Sequence, residues 1–285
     1  MSRILIADCT QAARQVAFEA LGARTNPALF EAALRCHEAD VTCAAINLAD
    51  NETLPAGTAI GDFDGVIFTG SPLHVGDATP EVLHQIDFAR AVFADGVPVW
   101  GSCWGLQLAT VALGGAVRRS PAGREIGVAR AIAVNEAGRA HPLLAGRAAM
   151  FDALCSHLDE VTTLPPGGMV LAGNRVSAVQ AMAVPTPAGG GFYGTQYHPE
   201  LDLPAIAALC TLRADALAAE GFGRGTTDLL SYAEDCRALD ADHTRADLTW
   251  RYGIGPDILD PVRRTQEIGN WLRAVVQPGR GNFSR

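Results

Sequence analysis

Three short segments, far apart along the chain, carry side chains able to do covalent chemistry together. The first is Gly101-Ser102-Cys103-Trp104-Gly105, with apolar Val97–Trp100 before it and Leu106–Val111 after it. That pattern predicts a strand, a sharp turn bearing one cysteine, then a helix: a nucleophile elbow with sulfur in place of a serine oxygen. Such a turn lifts the thiol clear of a sheet and seats it at a helix N-terminus, whose partial positive charge favours the thiolate. The second segment is the predicted strand Phe192–Tyr197, ending in His198-Pro199-Glu200. A thiolate nucleophile needs an imidazole to manage the proton of the leaving group, and the imidazole needs an acceptor that fixes its tautomer. His198 and Glu200 stand two apart, so extended backbone would project both to one side, with Pro199 stiffening the step. In the third segment, the apolar run Val66–Phe68 ends in Thr69-Gly70-Ser71-Pro72, a small-residue turn whose backbone N–H groups, with that of Trp104, suit a developing oxyanion.

Taken together, these residues resemble the class I, triad-type glutamine amidotransferases, including the glutaminase domain of GMP synthases and stand-alone relatives. The resemblance covers about residues 3–215 in order: the strand Arg3–Asp8, the Thr69–Pro72 turn, the elbow with Gln107, Ser156-His157-Leu158-Asp159, and Gly194-Thr195-Gln196-Tyr197-His198-Pro199-Glu200. It implies an open, flavodoxin-like α/β fold in three layers. It assigns Cys103 as nucleophile, His198 as acid and base and Glu200 as orienter, with Gly70, Ser71 and Trp104 supplying oxyanion donors. Gln107, Ser156, His157 and Leu158 are expected to hold the amino-acid end of the substrate. The implied reaction opens the γ-carboxamide of glutamine through a cysteinyl thioester and needs no cofactor and no metal.

Two departures bear on specificity. Ser71 stands where the family often has glycine, and Leu158 replaces the glycine of a usual Ser-His-Gly-Asp. The wider side chain in the pocket keeps open a γ-glutamyl hydrolase or peptidase acting on glutathione-like compounds. An inactive binding module is a further alternative, disfavoured by the complete set of Cys, His and Glu.

Composition limits the chemistry. All 22 basic residues are arginine, so a Walker P-loop, a lysine Schiff base and any lysine base are excluded. No Ser-Gly-Gly-x-Asp-Ser loop for a nucleotide pyrophosphate is present, so any amination of an acceptor falls to a separate synthetase. The seven cysteines lack pair spacing, and six of them are expected to pack as small apolar groups. A net charge of −9 disfavours nucleic acid and anionic membrane as partners, and the N-terminus shows no signal-peptide pattern, which points to the cytoplasm. The uncharged stretch Gly96–Val117 is long enough to mimic a membrane span, but its proline, glutamine and glycines fit a buried strand, elbow and helix.

These groups must be positioned by strands and helices that alternate through the first half of the chain, which predicts a mostly parallel sheet. Shorter strands follow the elbow helix, predicted over 116–119, 128–134, 149–155, 170–172 and 178–183, giving an antiparallel extension. Residues 1–220 would form the amidotransferase domain. From Gly221 onward charged residues become denser, and 221–285 reads as a helical extension. Thr226 or Thr227 would cap its first helix, and Asp260-Pro261 would open another carrying Ile268, Trp271, Leu272 and Val275 on one face. Residues 277–285 are expected to be disordered. Trp250 and Trp271 are the candidate anchors should this extension dock a partner.

Overall fold

The computed structural model describes residues 1–279. A nine-stranded sheet runs through the molecule in the order β2-β1-β3-β4-β11-β10-β9-β6-β7. Its first five strands are parallel: β2 (Thr42–Asn47), β1 (Arg3–Asp8), β3 (Gly65–Phe68), β4 (Val99–Ser102) and β11 (Phe192–Thr195). The remainder is antiparallel: β10 (Ala181–Val184), β9 (Met169–Gly173), β6 (Glu125–Val134) and β7 (Met150–His157). Two further strands, β5 (Ala116–Arg119) and β8 (Asp159–Thr163), pair separately. The expected parallel sheet with its antiparallel extension is the architecture found.

The central strands are apolar on both faces because helices cover both. Along β1, Ile4 and Ile6 join one core cluster and Leu5 and Ala7 the other, the period-two alternation of a pleated strand. Helix α1 (Ala12–Glu19) follows β1. Helix α2 (Asn26–Arg35) packs Phe30, Ala33 and Leu34 on the first face, its N-terminus capped by Thr25 accepting from the Ala28 N–H. Helices α3 (Pro80–Asp95) and α4 (Trp104–Ala112) fill the second. The uncharged stretch is therefore β4, the elbow and α4; among the described residues no helix is long and apolar enough to cross a membrane.

The segment after residue 220 is helical, and its end is part of the sheet's core. Trp271 is fully buried, its ring 6.4 Å from that of Trp100, and a Cβ at Gly65 would lie 2.8 Å from it. Glu267, also buried, binds Arg147 through both carboxylate oxygens at 2.6 and 2.7 Å and accepts from the Tyr197 hydroxyl at 2.8 Å. Trp271 is thus an internal packing residue and no docking anchor, whereas Trp250 is 90% exposed. The first helix of this segment, Thr226–Ala241, is capped by Gly225 without a side-chain bond, so neither threonine caps it. Asp260 does cap the helix it precedes, accepting from the N–H groups of Val262 and Arg263. Gln277–Gly279 forms a helical turn rather than disordered chain; the rest of that expectation, 280–285, lies outside the described residues. Cys36 is exposed and Cys43 partly so, which corrects the expectation that every cysteine but Cys103 is packed away.

Candidate active site

Cys103 sits between β4 and α4 with φ 50° and ψ −98°, backbone angles that a residue with a Cβ rarely adopts. Close packing maintains it. The Cys103 N–H donates to the Thr195 carbonyl at 2.7 Å, and its own carbonyl accepts from the Gln107 N–H at 3.0 Å. Glycines on either side let the backbones touch: a Cβ at Gly101 would meet the Gly105 carbonyl carbon at 2.6 Å, and one at Gly105 would meet the Phe68 carbonyl. The sulfur emerges beside the Ser156 carbonyl at 3.5 Å, at the start of α4.

The long sequence gap to His198 disappears because β4 and β11 are parallel neighbours at the middle of the sheet, with Ser102 opposite Thr195. The chain leaves both strands on the same edge, where open α/β sheets bind ligands. Strand β11 ends at Thr195, two residues earlier than its composition suggests, so His198 and Glu200 lie beyond the strand, with Glu200 in a turn. Their side chains still meet, with His198 Nδ1 donating to Glu200 Oε1 at 2.6 Å. Glu200 Oε2 accepts from the Ser102 hydroxyl at 2.9 Å, and that hydroxyl accepts from Trp100 Nε1 at 3.1 Å. With Nδ1 committed to the carboxylate, Nε2 is left for Cys103, which borders the same cavity as the ring. Burial works against a charged imidazole here, but the Glu200 carboxylate and the Cys103 sulfur prevail and hold His198 up at about 10. Gly70 lies flat against this ring, where a Cβ would come within 2.8 Å of Cε1.

The turn after β3 is held from behind. The Gly70 carbonyl accepts from Thr10 Oγ at 2.9 Å and Asn26 Nδ2 at 3.3 Å. Asp8, which burial holds above the usual carboxylate range, accepts from Thr69, Gln15 and Asn26 side chains and the Thr10 N–H. A planar trans peptide points its N–H opposite its carbonyl, so the Ser71 N–H faces away from these donors. Neither this N–H nor that of Trp104 has a protein acceptor among the described residues. Ser71 needs no left-handed backbone, and its hydroxyl accepts from the Leu73 N–H at 3.3 Å. Asp8, Thr10 and Asn26 escaped the sequence reading, since nothing local ties them to a turn so far along the chain.

Two cavities meet at the sulfur. A small one of about 50 Å³ is bordered by Gln107, Leu158, His74, Asp159 and Arg124. A larger one of about 240 Å³ is bordered by His198, Asn26, Phe18, Leu209, Leu212 and Arg14. Ser71, Cys103, Ser156 and Arg213 border both. Gln107 Nε2 contacts Gln196 Oε1 at 3.2 Å and the Asp159 carbonyl at 3.4 Å. Both nitrogens of His157 are engaged within the protein, with the Asp159 carbonyl at 3.0 Å and Glu125 at 2.9 Å, so its ring offers no free nitrogen to a ligand. The polar side chains left facing the small cavity are different ones. Asp159 holds His74 Nδ1 at 3.0 Å through Oδ2, while its buried Oδ1 has no hydrogen-bond partner among the described residues. Among those residues no group of His, Cys, Asp and Glu is arranged to hold a metal ion.

A cysteine elbow at the carboxyl edge of a parallel sheet, with a His–Glu pair just past the adjoining strand, defines a class of α/β proteins. Within that class the chain belongs to the glutamine amidotransferase class-I family, whose profile matches residues 25–205. A γ-glutamyl-L-1-hydroxyisopropylamide hydrolase from a Pseudomonas species is 33% identical over 282 residues, covering 97% of this chain and 94% of that one. The protein from Methanoculleus marisnigri that forms one component of a glutamine-hydrolysing GMP synthase is 36% identical over 154 residues, 54% of this chain and 74% of its own. Among solved structures, glutamine amidotransferases from Thermotoga maritima and Methylobacillus flagellatus share the fold. Their TM-scores are 0.65 and 0.66 at 16% and 21% identity, covering 94% and 96% of this chain and 98% and 94% of theirs.

Proposed function

We propose that this protein is a cytoplasmic cysteine hydrolase of γ-glutamyl amides in which the released amine is larger than ammonia. In the first step the Cys103 thiolate adds to the γ-carbonyl carbon, and the oxyanion is met by the Ser71 and Trp104 N–H groups. Donors of this kind contribute roughly 10²–10³ in rate each. The tetrahedral intermediate collapses as the C–N bond breaks, the imidazolium of His198 gives its proton to the leaving nitrogen, and a γ-glutamyl thioester remains. Water then attacks the thioester, neutral His198 takes its proton, the C–S bond breaks, and glutamate departs as the thiolate–imidazolium pair is restored. Glu200 keeps the ring in the working tautomer.

The carrying observation is the inequality of the two cavities. The general acid must face the leaving nitrogen, and His198 borders only the larger space. The leaving group therefore faces a space of about 240 Å³, of which ammonia would fill a small part. The glutamyl group takes the small polar cavity, with the Asp159 carboxylate at its border as the charge opposite its ammonium. The resemblance to the Pseudomonas hydrolase of an N-substituted γ-glutamyl amide, which runs through the C-terminal helices, supports the same reading.

Glutamine hydrolysis serving a separate synthetase is the second reading, favoured by the likeness to the GMP synthase component. Steady-state release of glutamate from glutamine and from N-alkyl γ-glutamyl amides separates the two. The proposal expects the higher kcat/KM for the substituted amides and loss of both activities in Cys103→Ala. Faster cleavage of glutamine, stimulated by an added synthetase, contradicts it.

A further inference from the structure

The larger cavity carries charge that the steps above do not use. Arg14, on α1, borders it alone, and Arg213, between the helices Leu203–Leu212 and Ala214–Ala219, borders both spaces. Neither guanidinium has a hydrogen-bond or ion-pair partner among the described residues. Their neighbour Arg124 differs, being clamped by both oxygens of Glu220 at 2.7 and 3.0 Å. Burial first, then the charges of Arg124 and Arg14, push Arg213 below the ordinary guanidinium range, against the opposing effect of Cys103 and Glu220. The nearby acids are held elsewhere: Glu220, which offsets part of the Arg213 charge, is clamped by Arg124, and Asp8 is enclosed by four donors. In a chain of net charge −9, two arginines without ion-pair partners among the described residues, lining the same cavity as the sulfur, suit a bound anion.

The position of that anion follows from which cavity each arginine borders. Arg124 serves the small, glutamyl side and Arg14 the leaving side, with Arg213 between them. Phe18, Leu209 and Leu212 give the leaving side apolar walls for a carbon skeleton. We propose that the amine released by this protein itself carries a carboxylate, held by Arg14 and Arg213, so that its substrates are γ-glutamyl derivatives of amino acids. This rests on the hydrolase reading above and narrows it. The fork of a guanidinium matches a carboxylate with two parallel hydrogen bonds, so a neutral leaving amine of the same shape is bound less tightly.

Calorimetric titration of Cys103→Ala with γ-glutamylglycine and with γ-glutamylglycinamide isolates the carboxylate, since the ligands differ there alone. The anionic ligand is expected to bind about tenfold or more tighter, less so at high salt. Adding Arg213→Met brings the ratio toward one, Arg213→Lys restores part of it, and Arg14→Met, on an exposed stretch of α1, lowers it by a smaller factor. Equal affinities, or a preference that survives both methionine changes, overturns the proposal. Turnover of γ-glutamylglycinamide by the unaltered protein is scored separately. Cysteine-dependent cleavage with equal affinities retains the hydrolase and removes the anion site; a preference without cleavage does the reverse.

Discussion

The two sides of Cys103 are built from different material. On the glutamyl side the walls are the turn between β7 and β8, the first turn of α4 and the His74 loop, tied by hydrogen bonds among Gln107, Gln196, Asp159 and His74. On the leaving side they are α1 and the helix Leu203–Leu212, which present mainly apolar side chains, together with Arg14 and Arg213, which lack ion-pair partners among the described residues. The contrast teaches how one scaffold divides its labour. A small, polar, cross-linked pocket suits the group common to every substrate, and a wider pocket on packed helices suits the group that distinguishes them.

The comparison breaks most completely if the sulfur is not shared by both sides. Cys103→Ala is expected to abolish turnover of every γ-glutamyl amide while leaving the melting temperature close to that of the parent, because it removes one side-chain atom at a turn fixed by backbone bonds. Glutamate release and thermal unfolding check this. Next comes Glu200→Gln, which keeps the shape and removes the charge; a fall of roughly 10²–10⁴ in kcat is expected. The same change tests the charge balance at His198. Glu200 and the sulfur raise that group from its ordinary 6.5 to about 10 against the opposing effect of burial, so kcat/KM should fall on the alkaline side near that value. In Glu200→Gln the fall moves to lower pH. For stability the sign is that of a raised group: the contribution is complete below about 6.5 and is lost as pH climbs through about 10, readable as a declining melting temperature.

Smaller effects distinguish the two sides. Asp159→Asn, on the glutamyl side, is expected to raise KM on the order of tenfold for all γ-glutamyl compounds alike, since a charged hydrogen bond is weakened while the reacting atoms stay in place. Leu212→Trp, on the leaving side, should cut kcat/KM several-fold for bulky amides and leave glutamine unaffected, because it takes space without touching polar contacts. Equal losses for glutamine and bulky amides in Leu212→Trp would erase the distinction between the cavities.

What the sequence disclosed follows the same division. The elbow was legible because its signals are local: an apolar strand, flanking glycines and a helical run. The His–Glu step was legible for the same reason, but the contact between the two pieces depends on β4 and β11 being neighbours, which no local pattern encodes. Helix α1 was missed because it has no side-chain N-cap and buries little besides Gln15. Strand β8, Asp-Glu-Val-Thr-Thr, lies at an edge and lacks the apolar run that marks a central strand. The helix Leu203–Leu212 is apolar nearly all round, so it has no amphipathic face to reveal it. With α1 and that helix went Arg14 and Arg213, and with them the character of the leaving side. The stripe of Ile268, Trp271 and Leu272 fits a helix packed on the domain as well as one docking a partner; the face it covers belongs to the sheet of its own chain.

The central claim is a covalent γ-glutamyl intermediate on one sulfur. Acid quenching during turnover of a γ-glutamyl amide, followed by proteolysis and mass spectrometry, tests it directly. The account predicts a γ-glutamyl mass increase on the peptide containing Cys103, removed by hydroxylamine as a thioester is. Full turnover with that peptide unmodified, or the adduct on another residue, contradicts it.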